Sequence, residues 1–193
     1  MLATGMDKFE PNQLRRAKQF LDRELKGRLV VKHVPTTTKF LAGSFPNARA
    51  ARRAKGWQTI EPGFRWGPTY SEGWYQVSAR VPADWAGMPV VLGYENPESV
   101  IENPGAYGGV VPLECTIWRD EAIVGALDWA HLTHRLLDRA EGDENLTIFA
   151  QTYAPNLETT VHGKEKPRTE LPAEFRGFHL MVVDAELLQL TYD

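Results

Sequence analysis

His131 and His134 stand three residues apart, a spacing that on a helix turns both imidazoles to one face and that metal sites use. No His-Glu-x-x-His string accompanies them, and Leu132, Leu136 and Leu137 around them indicate packing. Asp128 precedes His131 by three residues, so a carboxylate–histidine pair is available, the orienting half of an acyl-transfer triad. The nucleophile is missing, because Ser71, Ser78 and Ser99 all lie outside a Gly-x-Ser-x-Gly elbow. Glu72, Glu95, Glu98, Glu102 and Glu114 supply carboxylates, yet glycoside hydrolysis needs two at a defined separation in space, which distance along a chain does not set. Cys115 sits in the apolar run from Leu113 to Trp118 and is expected as a buried structural thiol. Neither a Gly-x-Gly-x-x-Gly string nor a Gly-x4-Gly-Lys-Ser/Thr phosphate loop occurs.

Six tryptophans, Trp57, Trp66, Trp74, Trp85, Trp118 and Trp129, offer flat apolar surfaces on which the CH face of a sugar ring can stack while its hydroxyls find polar partners. Each is equally suited to a core or to a protein interface. The carbohydrate-contact candidates are Trp66, Trp74 and Trp118, with Asp128 and His131 as polar neighbours. No residue is assigned a catalytic role and none a metal.

The elements that must position these groups are mostly strands. Tyr75, Val77, Ala79 and Val81 alternate with Gln76, Ser78 and Arg80, the period of a half-buried strand. Pro82 to Gly87 has turn chemistry, and Pro89 to Tyr94 is an apolar run suited to an interior strand. Leu113 to Arg119 and Ala122 to Gly125 flank a tight Asp120-Glu121 connection and predict a hairpin. Leu146 to Tyr153 alternates again, and Gly177 to Val183 and Leu187 to Tyr192 supply two more apolar runs. Before these, Leu14, Ala17, Leu21 and Leu25 recur at helical spacing after Pro11, predicting a helix from Pro11 to Lys26 that stops at Gly27. Six to eight strands between Gly/Pro-rich loops, one spanning Asn96 to Gly109, predict a mainly β chain: an antiparallel sandwich or jelly roll with an N-terminal α-helix. The expected division is a helical segment over 1–28, a connecting segment with a short strand at Leu29 to Val34 over 29–60, and the sandwich over 61–193.

A net charge of -3 provides no basic field for nucleic acid. The local run Arg49, Arg52, Arg53 and Lys55 is read as a solvated loop or short helical face. No apolar run approaches the roughly 20 residues that span a bilayer. A lone cysteine and the lack of a cleavable leader pattern lead to the expectation of a soluble, cytoplasmic chain without nucleic-acid or membrane partners.

The run Glu61-Pro62-Gly63-Phe64-Arg65-Trp66-Gly67-Pro68, then Gly73-Trp74-Tyr75-Gln76-Val77 and Val81-Pro82-Ala83-Asp84-Trp85-Ala86-Gly87, resembles the N-terminal, galactose-binding-like domain of glycoside hydrolase family 38 α-mannosidases. Glu114 to Leu127, followed by Asp128 and His131, is similar to that family's hairpin, and the resemblance covers roughly residues 60 to 193. The loop Asn96 to Val111 departs from the compact Gly-rich connection of the family. In the family a zinc-binding catalytic barrel follows this domain, and this sequence ends at Tyr192-Asp193 without a His-x-Asp string. The resemblance therefore implies a non-catalytic module with no cofactor of its own, zinc belonging to the catalytic domain of a retaining α-mannosidase. Its implied partners are that catalytic domain or further copies of this chain, with a mannose-containing glycan as a further contact. Two other readings stay open: a free-standing carbohydrate-binding module, and a small independent enzyme built on Asp128 and His131.

Overall fold

Alternating apolar and polar residues give each long strand one face to bury, and two such sheets close over each other. The computed structural model describes residues 26–68, 70–94, 114–128, 131–154, 173–184, 186 and 187, with five positions of the N-terminal helix. In one sheet β1 (Val30–Pro35), β12 (Phe178–Val183), β6 (Val90–Tyr94) and β9 (Thr133–Leu137) lie side by side in that order. The other runs β3 (Gln58–Ile60), β2 (Thr37–Ala42), β5 (Glu72–Arg80), β10 (Asn145–Tyr153), β7 (Cys115–Arg119) and β8 (Ala122–Leu127). β4 (Arg65–Trp66) pairs with β11 (Ala173–Glu174) as a separate ribbon. All these pairings are antiparallel, the arrangement of a jelly-roll sandwich.

The core between the sheets takes Tyr75, Val77, Ile117 and Ile148 from one side and Val90, Leu92, Phe178 and Leu180 from the other. Its aromatic end is built around Phe40, whose ring centroid lies 5.4 Å from Phe64, 5.0 Å from Trp66 and 5.3 Å from Tyr75. Gly73 makes room for that ring: a Cβ there would stand 2.5 Å from two Phe40 carbons. Trp74 and Phe149 alternate with Tyr75 and Ile148 and so face away from this core. They are covered by the short helix α2 (Ala48–Arg53), which contributes Ala48 and Ala51 to a second cluster and is capped by Asn47 accepting from the Ala50 N–H at 2.9 Å.

The predicted strands at Tyr75 to Val81, Pro89 to Tyr94, Leu146 to Tyr153 and Gly177 to Val183 are present as β5, β6, β10 and β12. The hairpin is present as β7 and β8, with Asp120 at φ 56 in its two-residue loop, a backbone state Asp tolerates. Within residues 29–60 the short strand expected at Leu29 to Val34 is present as β1, and the segment also supplies β2, β3 and α2. The Thr-rich stretch hid β2 because its strand buries Thr38 beside Phe40 and Leu41, so the apolar alternation is interrupted by a threonine methyl face. The shared helical face of His131 and His134 gives way to a strand, since His134 lies in β9 opposite Leu92. Its ring packs over Gly125 of β8, where a Cβ would come within 2.3 Å, joining the edges of the two sheets. Of the predicted N-terminal helix, Gln13, Arg15, Arg16, Gln19 and Phe20 are described, and all are helical and exposed. The helical turn α1 (Lys26–Leu29) continues two residues past the expected stop at Gly27. At the other end Glu186 and Leu187 are helical, their N–H groups donating to Asp184 at 3.0 Å each, where a strand was expected. The Asn96 to Gly109 loop and Trp129 lie outside the described residues.

Candidate functional site

Register places four polar side chains in one row across the six-stranded sheet. Tyr153 on β10 lies opposite Glu72 on β5, and on β10's other side Thr152 lies opposite Cys115 of β7. Cys115 in turn faces Leu127 of β8, so the next residues outward, Glu114 and Asp128, continue the row beyond Tyr153. One step inward, Trp74, Gln151, Thr116 and Ala126 form the neighbouring row. Glu72, Tyr153, Glu114, Asp128, Gln151 and Thr116 line a cleft of about 620 Å³ on the sheet's outer face, with Tyr70 at its mouth.

Both tyrosines present their rings to solvent, Tyr70 at 65% and Tyr153 at 44% exposure. The Tyr153 hydroxyl donates to the Glu114 carboxylate, and that hydrogen bond, with some burial, pushes its ionisation upward. Thr152 Oγ1 donates to the Glu114 carbonyl at 2.8 Å, so Glu114 is held through side chain and backbone. Tyr70 has a left-handed backbone, φ 67, and its N–H donates to the Ala154 carbonyl at 2.6 Å, tying the mouth to the end of β10. The described lining holds three carboxylates and no basic side chain. Cys115 borders the cleft, but its side chain belongs to the interior cluster, and burial pushes its thiol up to about 12, favouring the protonated form.

The sequence candidates are dispersed. Trp66 is half-buried and donates from Nε1 to the Tyr75 hydroxyl at 2.8 Å, on the core side of the sheet. Trp74 is wholly buried beneath α2, with half-buried Trp118 5.9 Å away. Asp128 alone lines the cleft. It also organises the β8–β9 turn, accepting from the His131 N–H at 2.7 Å and meeting His131 Nδ1 at 3.0 Å, while the His131 ring is largely exposed. The basic run is a helical face, with Arg49 paired to Glu121 and Arg52 5.1 Å above the Phe149 ring. Among the described residues no three His, Cys, Asp or Glu side chains gather as a metal site, and no helix is long and apolar enough to cross a membrane. Tyr70, Tyr153 and Gln151 escaped sequence reading, whereas Glu72 and Glu114 were visible only as carboxylates without a partner. The missing information was which strands are neighbours, since β5, β10, β7 and β8 are ordered by long-range pairing.

A two-sheet antiparallel sandwich with a polar, aromatic-rimmed cleft on its outer face defines the class: a jelly-roll module. The chain belongs to the α-mannosidase jelly roll domain family, whose model matches residues 30–174, and the resemblance to the N-terminal domain of those enzymes is borne out. Comparison with curated proteins gives no match. Twelve chains of solved structures match. One is a β-glucuronidase from Ruminococcus gnavus in complex with C6-substituted uronic isofagomine, 10% identical, with a TM-score of 0.45 over 80% of this chain. This chain spans 29% of the length of that one.

Proposed function

We propose that this chain is the non-catalytic jelly roll module of a zinc-dependent, retaining α-mannosidase, and that it acts by packing against the catalytic domain that holds the zinc ion. The observation carrying this reading is the family match over residues 30–174. The surface supports it. Among the described strands β8 lies at the edge of its sheet, and on it Ile123 and Val124 stand 60% and 41% exposed, apolar side chains that a partner would cover. The chemistry supports it as well: Asp128 and His131 are engaged in a surface turn, and the Cys115 thiol is kept protonated.

The test has two arms. Purified chain with added zinc is expected to leave an aryl α-mannoside uncleaved; turnover that follows the protein and disappears in Asp128→Ala or Glu114→Gln would overturn the non-catalytic reading. Mixed with the α-mannosidase catalytic domain encoded in the same genome, the chain is expected to co-elute on size exclusion, and Ile123→Lys with Val124→Glu to separate the two without changing the melting temperature. A chain that stays apart from the catalytic domain, or pairs only with itself through β8, would refute the docking role.

A further inference from the structure

We infer that the cleft at the end of β5, β10, β7 and β8 binds a neutral, hydroxyl-rich saccharide. The inference goes beyond the packing role and stands or falls separately, because it is tested on this chain alone. The cleft's volume of about 620 Å³ falls within the roughly 300–1,000 Å³ of small-ligand sites. Its rim carries two exposed aromatic rings, and Tyr153 is a prepared platform: the bond from its hydroxyl to Glu114 fixes the ring before a ligand arrives, so little side-chain freedom is lost on stacking. Behind the ring stand groups that match sugar hydroxyls in both directions. Glu72 accepts hydrogen bonds, Gln151 donates and accepts through its amide, and Thr116 does so through its hydroxyl, while Asp128 borders the cleft held by His131.

Charge narrows the class. With three carboxylates and no described basic residue in the lining, a uronic acid or sugar phosphate would meet like charge in a concave site and be rejected. A polyamine is the competing ligand for such a field. Its ammonium groups take the carboxylates and the ring face but offer no acceptor to the Gln151 amide or the Thr116 hydroxyl proton, whereas a sugar's apolar face and hydroxyl rim use all three.

The experiment is calorimetric titration of the intact chain with α-mannobiose, glucuronate and spermidine as probes, backed by saturation-transfer NMR. Saturable binding of mannobiose in the millimolar range is expected, with no binding of glucuronate. Tyr153→Ala is expected to weaken mannobiose about tenfold through loss of the stacking surface. Tyr153→Phe, which keeps the ring and loses its tether to Glu114, is expected to weaken it less. Tyr153 is exposed, and an unchanged melting temperature shows that both variants fold. Absence of saturable binding to mannobiose would overturn the inference. So would equal binding of glucuronate, binding of spermidine alone, or mannobiose binding indifferent to Tyr153→Ala.

Discussion

Replacing Gly73 with alanine asks whether the aromatic end of the core is built as described. The added methyl would lie 2.5 Å from Phe40 Cε2 and Cζ, against ordinary contact beginning at 3.4 Å. The ring must therefore retreat by roughly 1 Å to recover normal packing. It has nowhere to go, being 1% exposed and enclosed by Phe64, Trp66 and Tyr75. Overpacking of this kind costs about 2–3 kcal/mol. Replacing a strand glycine returns about 0.5–1 kcal/mol of backbone entropy. The net loss is about 1–2.5 kcal/mol, which in a chain of this size lowers the melting temperature by roughly 2–10 °C. Urea unfolding followed by tryptophan fluorescence measures it, and a double-mutant cycle with Phe40→Leu isolates its cause. The smaller residue should make room for the methyl, so the double variant should lose about 1 kcal/mol less than the sum of the single losses. A Gly73→Ala protein as stable as the parent, or additive effects in the cycle, would refute the packing argument.

The remaining expectations concern ionisation and backbone. Because burial raises the Cys115 thiol from 9.0 to about 12, the folded state favours the neutral form: its contribution to stability is complete below pH 9 and is lost as pH rises from there towards 12. Urea midpoints should therefore fall above pH 9 in the parent more than in Cys115→Ala, and a thiol reagent at pH 8 should label native protein far more slowly than unfolded protein. Gly142 and Gly63 both occupy left-handed backbone, φ 83 and φ 93, so alanine at either should cost about 1–2 kcal/mol of backbone strain. At Gly142 the methyl would also meet the Ala83 carbonyl oxygen at 2.8 Å, whereas nothing lies within 4 Å at Gly63. Thermal melts should rank Gly142→Ala clearly below Gly63→Ala, and the reverse order would contradict the turn geometry.

Strands whose apolar residues alternate cleanly were legible in the sequence, as β5 and β10 show, and so was β6, whose five residues are all buried. β2 was not, because Thr37, Thr38 and Lys39 dilute its alternation and only pairing with β5 explains its burial. β9 was misread because the pair His131 and His134 suggests a turn of helix until one sees that His131 belongs to the preceding turn. For the site, the tryptophans and the cleft occupy different parts of the fold. Trp74 and Trp118 serve the layer beneath α2 and Trp66 serves the core, while Tyr70 and Tyr153 expose their rings at the cleft. Local sequence states which residues are aromatic; which of them remain uncovered is decided by contacts between segments far apart in the chain.

The row of Glu72, Tyr153, Glu114 and Asp128 depends on four strands holding one alignment. A slip of β10 by a single residue would turn Tyr153 inward and Thr152 outward, and would drive Phe149 into the space now filled by Ile148 and Ala150. The interior and the cleft would fail together. The cleft thus depends on the same strand alignment as the interior, so its occupancy by a ligand would be a direct readout of correctly aligned chains in any preparation.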